Sequence, residues 1–257
     1  MSNECGRASV VPSTIGVPVL PVLHGAVVAL ILGTIAPEGW ANNHPQVSRI
    51  PFKEVRLIIE FNASAEDVGV QFFLDSDGWK EVQIYNPSGR QIFEAEATAN
   101  LLRQGGGTEL FVESVEPTLE DLPLEEFYEQ FPEGRYRFAG TTPEGDKLFG
   151  SAEFSHDIPA GPVIITPAAA PDECAENVPL PVVIAWNAVT TTIDGEPIDV
   201  VEYQVLAGDV IDALTSETML TVPDGLFEEG TSYNFEVLAI AENGNQTITE
   251  GCFVTAD

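Results

Sequence analysis

The densest group of potential metal ligands in the sequence is the segment Asp75-Ser-Asp-Gly-Trp79. Carboxylates at alternate positions followed by a glycine are typical of the front of a calcium-binding loop, in which the carboxylate oxygens face one cation and the glycine allows a sharp turn. The twelfth position of such a loop normally holds a glutamate, and here it holds Asn86. Two interpretations therefore stay open: an Asp-rich hairpin turn, and a surface Ca²⁺ site with Asp75 and Asp77 as ligands.

A complete calcium site would need further oxygen ligands, which Glu66 or Asp67 could supply. Trp79 follows the two aspartates and could offer an aromatic face on which a sugar ring stacks. These residues support the hypothesis of a calcium-dependent carbohydrate-binding or adhesion protein. A glycosidase would need two carboxylates about 5 to 9 Å apart in an aromatic-lined cleft. Because carboxylates are abundant throughout the chain, no single pair of them indicates such a site.

Histidine chemistry has little support in the sequence, which contains only His24, His44 and His156. In a strand, the adjacent side chains of Ser155, His156 and Asp157 would point in alternating directions and could not form a catalytic relay. The sequence contains no Gly-x-Ser-x-Gly, no His-Glu-x-x-His and no Cys/His zinc spacing. We therefore predict no catalytic residues and a protein that is not an enzyme, with His156 at a strand end or domain junction. A secreted hydrolase with an unrecognised site is the alternative.

The charge balance restricts the classes of partner. The chain has 41 Asp and Glu against 10 Lys and Arg, a formal net charge of −31. Such a surface repels phosphate backbones and anionic lipids, so nucleic-acid binding is excluded. The acidic surface is interpreted as the solvated exterior of a soluble secreted protein, with cation binding or a salty habitat as alternatives.

The N-terminal segment predicts export. Residues Val17–Ala36 form a nearly uncharged apolar run, and Gly39-Trp-Ala41 places small residues at the −3 and −1 positions of a signal-peptidase site. We predict a signal peptide over residues 1–41 and a secreted, periplasmic or extracellular protein without membrane insertion after cleavage. An uncleaved anchor is the alternative, since the run is about long enough to span a bilayer.

Two cysteines remain once Cys5 leaves with the signal peptide. Cys174 and Cys252 lie near the two ends of the last predicted domain. In an oxidising compartment they predict a disulfide that closes a loop of about 78 residues and stabilises the fold by about 4 kcal/mol. Two free thiols are the alternative.

The middle of the chain predicts a β-sandwich with one inserted helix. Residues 42–53 are predicted to form a polar linker, and short β-rich segments separated by turns then follow to residue 158. Between them, Leu124, Phe127, Tyr128 and Phe131 recur at helical spacing. The sequence predicts that Thr118 caps this helix at its N-terminus.

The C-terminal region has the clearest pattern. From Tyr233 to Ala239, large apolar residues alternate with others, which is the period of a half-buried strand. Leu226, Gly230 and Tyr233 precede or open this strand, and the turn Glu242-Asn-Gly-Asn245 follows it. This spacing resembles the penultimate strand of the fibronectin type III module and the turn that leaves it.

Upstream residues extend the resemblance over Pro162–Thr255. Trp186 takes the place of the core tryptophan of the family's second strand, and Tyr203 and Val205 follow the turn Gly195-Glu-Pro-Ile in its third. The resemblance implies a two-sheet module in which Trp186, Tyr203 and Tyr233 pack in the core. It also implies a binding or structural role without naming a ligand.

Together these observations predict an all-β chain of two immunoglobulin-like β-sandwich domains, the first with one short helix, preceded by a signal peptide. The predicted ranges are a signal peptide at 1–41, a linker at 42–53, a β-sandwich at 54–158 and a fibronectin type III-like domain at 159–257. We expect an exported, non-enzymatic binding or structural module with a protein or glycan partner at the cell surface or in the periplasm. No cofactor is expected apart from Ca²⁺ under the alternative hypothesis.

Overall fold

The computed structural model describes residues 47–170 and 173–257, and the predicted signal peptide lies outside these ranges. The described chain is all-β, with sixteen strands and two short helices. No helix within these ranges has the length and apolar character needed to cross a membrane. The strands form two β-sandwiches that follow one another along the chain and share one sheet.

The N-terminal sandwich packs a five-stranded layer against a three-stranded layer. Its elements are β1 Arg49–Pro51, β2 Glu54–Asn62, β3 Asp67–Trp79, β4 Glu81–Tyr85, β5 Gln91–Glu96, α1 Ala99–Gln104, β6 Gly107–Glu113, α2 Leu124–Gln130, β7 Gly134–Thr141 and β8 Lys147–Phe154. The five-stranded sheet has the order β1-β8-β7-β4-β5, and the other layer consists of β2, β3 and β6. Alternate residues of both layers meet in one apolar core that includes Ile59, Leu74, Ile84 and Phe138.

The C-terminal sandwich has the same two-layer plan. Its strands are β9 Ile164–Thr166, β10 Ala175–Val178, β11 Val183–Trp186, β12 Val200–Ala207, β13 Ile211–Thr215, β14 Met219–Thr221, β15 Ser232–Ala241 and β16 Gln246–Thr255. A three-stranded sheet, β14-β11-β9, faces the four strands β13-β12-β15-β16, and β10 runs parallel along β16. The predicted disulfide joins Cys174, just before β10, to Cys252 on β16, which confirms that pairing.

The aromatic residues on which the C-terminal prediction depends are packed inside the sandwich. Trp186 keeps 1% of its surface exposed and meets Tyr203 edge to face, with ring centroids 5.2 Å apart. The Tyr203 hydroxyl accepts a hydrogen bond from the backbone N–H of Val189 at 2.9 Å. The Tyr233 hydroxyl accepts one from the N–H of Glu228, also at 2.9 Å. Each tyrosine thus buries most of its ring while its hydroxyl ties down a neighbouring loop.

The two sandwiches are joined by a parallel strand pair. Strand β16 pairs with β2 through Gln246, Thr247 and Ile248, so the layers of the two sandwiches form one continuous eight-stranded sheet. Beside the pair, Asn245 is 2% exposed, and its Oδ1 accepts a hydrogen bond from the N–H of Ile59 at 2.8 Å. We call this region, the β2–β16 pair with Asn245, the joint.

The Asn245 amide also holds the chain segment that connects the sandwiches. Its Nδ2 donates to the carbonyl oxygens of Ser155 and Asp157 at 2.9 and 3.0 Å. From the C-terminal sandwich, Ile193 packs against the N-terminal core. Polar and apolar contacts thus both link the two sandwiches beside the short Pro-rich connection.

Two predictions about local structure were wrong. The helix over the predicted apolar stripe begins at Leu124 after Pro123 and not near Thr118, because the backbone of Thr118 pairs with Asp67 in an isolated bridge. A second helix, α1, was not predicted, since its six residues are too few to show a helical period. The first sandwich therefore contains two helices.

The end of the predicted linker is part of the fold. Of residues 42–53, Arg49–Pro51 form β1 parallel to β8, and Phe52 is 7% exposed within the N-terminal core. The buried side chain of Phe52 anchors this segment to the core. The strand was not predicted, because three residues are too few to show a strand period.

Candidate binding surfaces

The two aspartates of the predicted calcium site lie inside strand β3 and not in a hairpin turn. Their Oδ1 atoms lie 3.8 Å (Asp75) and 2.7 Å (Asp77) from Nζ of Lys53. Asp67 is at the opposite end of the strand, about 26 Å away at the usual rise per residue, so it cannot complete a site there. A cation at these carboxylates would have to displace Lys53, and their metal role stays a prediction.

Trp79 lies beneath a glycine run and not on an open surface. The side chain is 6% exposed, and a Cβ placed on Gly107 would come within 2.4 Å of its ring atom Cζ2. A Cβ on Gly106, which has φ +83°, would overlap the backbone carbonyl oxygen of Trp79. Glycine at 106 and 107 thus lets the main chain pass directly over Trp79. The predicted stacking of a sugar on Trp79 does not fit this burial.

His156 is a packing residue where the N-terminal sandwich meets the joint. Its ring stacks on Tyr128 with centroids 4.0 Å apart, and its Nε2 lies 2.8 Å from the carbonyl oxygen of Phe131. Ser155 donates its hydroxyl proton to Asp157 at 2.6 Å and not to the imidazole. The three neighbours therefore form no nucleophile–base pair, as the alternation along the chain predicts.

A group of three carboxylates, not predicted from the sequence, lies next to the joint. Glu60 on β2, Glu113 on β6 and Glu116 have carboxylate oxygens within 4.8 Å of one another, and we call them the carboxylate cluster. Glu60 is 8% exposed and accepts a hydrogen bond from the side-chain amide of Gln246. Gly69 stands opposite Glu60, and a Cβ there would lie 2.7 Å from Cγ of Glu116. Glycine at this position makes room for Glu116 to reach the cluster.

Burial and mutual repulsion perturb the cluster at neutral pH. Burial, followed by the charges of Glu60 and Glu113, raises the pKa of Glu116 to about 7. Burial is also the largest cause that raises the pKa of Glu60. A cluster of this kind can hold a proton near neutral pH or bind a cation. The sequence signal for it was Gly69 within a β-rich segment, which indicates a close approach by another group.

A second surface lies on the outward side of the five-stranded sheet. Two arginines are stacked on aromatic rings there: Cζ of Arg49 is 4.8 Å from the ring centroid of Phe149, and Cζ of Arg137 is 4.5 Å from that of Tyr85. Lys147 lies on the same side and donates to Thr141 Oγ1 at 3.1 Å. We call the surface formed by Arg49, Tyr85, Arg137, Lys147 and Phe149 the basic-aromatic face.

The basic-aromatic face is open and elongated. Two adjoining hollows of about 310 and 740 Å³ share Arg49, Arg137 and Phe149 in their linings. The first hollow reaches Lys147, and the second extends to the turn at 86–89. Ala139 lies between Phe149 and Gln83 in the strand register, so a small side chain forms the floor between longer ones. Together the hollows form a track along the face.

The cations of this face have no carboxylate partner within the described ranges. The ion pairs there involve Lys53, Arg56 and Arg135, but not Arg49, Arg137 or Lys147. Lys80, Arg90 and Arg103 also form no ion pair within these ranges, and what distinguishes the face is the stacking of two arginines on aromatic rings. Stacking on a ring holds each guanidinium in place and leaves N–H groups at its edge for a ligand.

Comparison with known proteins adds no family assignment. No family model matches the chain, and no curated protein matches it. Among solved structures, the fibronectin(III)-like modules of Clostridium thermocellum CbhA are 10% identical, with a TM-score of 0.29 over 79% of this chain and 94% of that one. A 1.5-MDa bacterial ice-binding adhesin is 14% identical, with a TM-score of 0.25 over 82% of this chain and 66% of that one. The repeats of a large adhesion protein are 11% identical, with a TM-score of 0.26 over 78% and 50%.

Proposed function

We propose that this chain is an exported, non-enzymatic module that binds a protein or glycan partner at the cell surface or in the periplasm through its basic-aromatic face. The observation that carries the proposal is the pair of stacked arginines, Arg49 and Arg137. They face solvent without an ion-pair partner in the described ranges, although carboxylates outnumber basic residues four to one in the chain. Stacked arginine and aromatic side chains are also characteristic of binding hot spots.

The architecture supports this role because it holds the face in a fixed geometry. Arg137 and Phe149 project from strands β7 and β8, which pair over their full length from Gly134–Phe154 to Thr141–Lys147. Tyr85 is placed opposite Arg137 by the β4–β7 pair. A ligand that binds such a preformed surface loses little affinity to the ordering of the protein.

Export is supported by the Cys174–Cys252 disulfide, since structural disulfides form and persist in oxidising compartments. The predicted cleavage after Ala41 can be tested by N-terminal sequencing of the protein that the producing cells release. A chain that starts at Asn42 is expected. A cytoplasmic protein that keeps Met1 would contradict export.

The binding function can be tested on the cells that produce the protein. The released protein, fluorescently labelled, is added back to washed cells as wild type and as the double variant R49A/R137A. Retention is expected to fall at least about tenfold in the variant, since a hydrogen bond to a charged group contributes about 1.5 to 3 kcal/mol. The matched control, R90A/R103A, removes the same charge from exposed arginines elsewhere and should be retained like the wild type. Equal retention of all three proteins would overturn the proposal.

A further inference from the structure

We infer that the basic-aromatic face binds a carboxylate-bearing glycan of the uronate class, with the carboxylates paired to Arg49 and Arg137 and the sugar chain lying along the track. The inference rests on the proposed function, because it names the partner class of the same surface.

The arginine geometry favours a carboxylate ligand. A guanidinium held over an aromatic ring keeps N–H groups at its edge, and a carboxylate can accept two parallel hydrogen bonds from such a fork. Four acids share this side of the sheet: Glu81, Glu94, Glu96 and Glu153. Glu81 accepts from Gln83, Glu94 accepts from Gln91, and Glu153 lies 3.8 Å from Arg135. Within the described ranges none of the four forms an ion pair with Arg49 or Arg137. Arg49 and Arg137 are therefore available to an external carboxylate.

The position of the track favours a glycan over an acidic polypeptide. An extended peptide gains affinity mainly by pairing its backbone with an unpaired strand edge. Most of the track lies on the face of the sheet, where the backbone groups of β7 are already bonded to β4 and β8. The one strand edge beside it is that of β1, which is only three residues long. Away from this edge only side chains are offered, and Gln83, Thr141 and Ser151 line the two hollows with amide and hydroxyl groups. Sugar hydroxyls can use these groups without a backbone partner.

The net charge of the chain favours a ligand with widely spaced charges. At −31, the protein repels a dense polyanion such as a nucleic acid over the range of the Debye length. A glycan that alternates polar hydroxyls with single carboxylates meets less repulsion and can place its charges at the two guanidinium groups. The track volume, about 310 and 740 Å³ in two adjoining parts, is within the range of small-molecule sites.

The inference can be tested by isothermal titration of the full secreted protein with a hexamer of galacturonic acid, a hexamer of mannuronic acid and the fully methyl-esterified galacturonate hexamer. The esterified hexamer keeps the sugar chain and removes the charge. At least one acid hexamer should bind, and its affinity should exceed that of the ester by about tenfold or more. R49A/R137A should lose about tenfold in affinity for the acid, and R90A/R103A should bind like the wild type.

A conservative variant separates stacking from charge. R49K/R137K keeps both positive charges and loses the planar forks, so it should bind more weakly than the wild type and more strongly than R49A/R137A. Circular dichroism melting of each variant establishes that it is folded. If the lysine variant binds like the wild type, charge alone suffices and the assigned geometry is overturned.

Three results would overturn the inference: no binding of either acid hexamer, equal binding of acid and ester, or binding of hexaglutamate as tight as that of the uronates. Failure of this inference and of the proposed function can be told apart. If cells retain the protein through Arg49 and Arg137 but no uronate binds, the face has a different partner and only the glycan assignment falls. If uronates bind through the two arginines but cell retention does not depend on them, the cell-surface role falls.

Discussion

The two sandwiches share a plan but differ in charge. All nine Lys and Arg beyond residue 41 lie between Arg49 and Lys147, and residues 159–257 contain none. All nine of these basic residues thus lie in the N-terminal half, and three of them are on the basic-aromatic face. The C-terminal sandwich has only carboxylates, and a disulfide closes it. Since a similar two-layer fold forms in both cases, the architecture does not require the basic residues.

Both sandwiches contain a tyrosine whose hydroxyl is hydrogen-bonded to the backbone a few residues upstream. Tyr136 in the N-terminal core donates its hydroxyl proton to the carbonyl oxygen of Pro132 at 3.1 Å, four residues upstream. Tyr233 in the C-terminal sandwich ties the segment five residues upstream in a similar way. Both are tyrosine corners that fix the approach to a late strand. Core packing and the tyrosine corners are therefore common to both halves, and surface charge distinguishes them.

Removal of the disulfide should produce the largest effect, and it should act on the C-terminal half. The double variant C174A/C252A is expected to lose about 4 kcal/mol of unfolding free energy in urea titrations, because the bond closes a loop of 78 residues in the unfolded chain. Hydrogen exchange should accelerate most in β15 and β16. Reduction of the wild type should reproduce the loss, whereas an unchanged urea midpoint would contradict it.

Loss of the Asn245 side chain should weaken the link between the halves. Asn245→Ala removes the hydrogen-bond partner of the Ile59 N–H and of the Ser155 carbonyl oxygen, whereas the Asp157 carbonyl oxygen keeps its bond from Asn243. We expect a loss of about 3 kcal/mol. Asn243→Ala is the matched control. Asn243 donates to the Asp157 carbonyl oxygen, which keeps its bond from Asn245, and accepts from the Asn245 N–H, so its loss should cost about 1 kcal/mol. A separate unfolding step for each sandwich in Asn245→Ala would show that the joint makes them unfold together. Equal losses in both variants would contradict this role.

The carboxylate cluster gives the N-terminal half a pH dependence of its own. The pKa of Glu116, raised to about 7, means that the folded chain holds this proton more tightly than the unfolded chain. The contribution of Glu116 to stability is therefore fully present below about pH 4.5 and is lost as the pH rises through about 7. Glu116→Gln should raise the melting temperature at pH 8 by about 2 °C after allowance for solvent screening, and should have no effect at pH 4.

The control for this prediction removes an exposed charge outside the cluster. Glu120→Gln should leave the difference in melting temperature between pH 4 and pH 8 as it is in the wild type. If Glu116→Gln destabilises the protein at pH 8, the three carboxylates do not repel one another in the folded chain.

Calcium should have the smallest effect, because Lys53 already pairs with Asp75 and Asp77. At 1 mM Ca²⁺ we expect the melting temperature to rise by less than about 2 °C, which in a chain of this size is below about 1 kcal/mol. The rise should be lost in Asp77→Ala and should increase in Lys53→Met, which frees the two carboxylates. If Glu116→Gln abolishes the rise and Asp77→Ala does not, the ion binds at the carboxylate cluster.

Sequence patterns were sufficient where a strand is half-buried and regular. The alternation from Tyr233 to Ala239 predicted β15, and Trp186 and Tyr203 were predicted to be core residues and are buried. The Cys174–Cys252 pairing was also predictable, because only two cysteines remain beyond the predicted signal peptide. In each case the prediction needed only residues close together in the sequence or the number of cysteines.

The sites depended on pairings that are distant in sequence. Glu60 and Gln246 are 186 residues apart, and nothing in either segment indicates that β2 and β16 pair in parallel. The burial of Trp79 depends on Gly107, which lies on β6 and pairs with Trp79 on β3. Strand β6 comes after α1 in the chain, so the contact cannot be read from the residues near Trp79. Arg49 was assigned to a linker, so its place over Phe149 could not be predicted. Strand periodicity tells which side of a strand faces inward, but not which strand lies beside it.

The parallel direction of the β2–β16 pair has a mechanical consequence. The pairing joins the end of β2 to the beginning of β16, so the remainder of each strand extends away from the pair in opposite directions. A pulling force applied at Arg49 and Thr255 would act along the strands, and the hydrogen bonds of the pair would have to break together and not one after another. If the two strands ran antiparallel, the same force would break these hydrogen bonds one after another. The parallel pair therefore resists a force between Arg49 and Thr255 better than an antiparallel pair would.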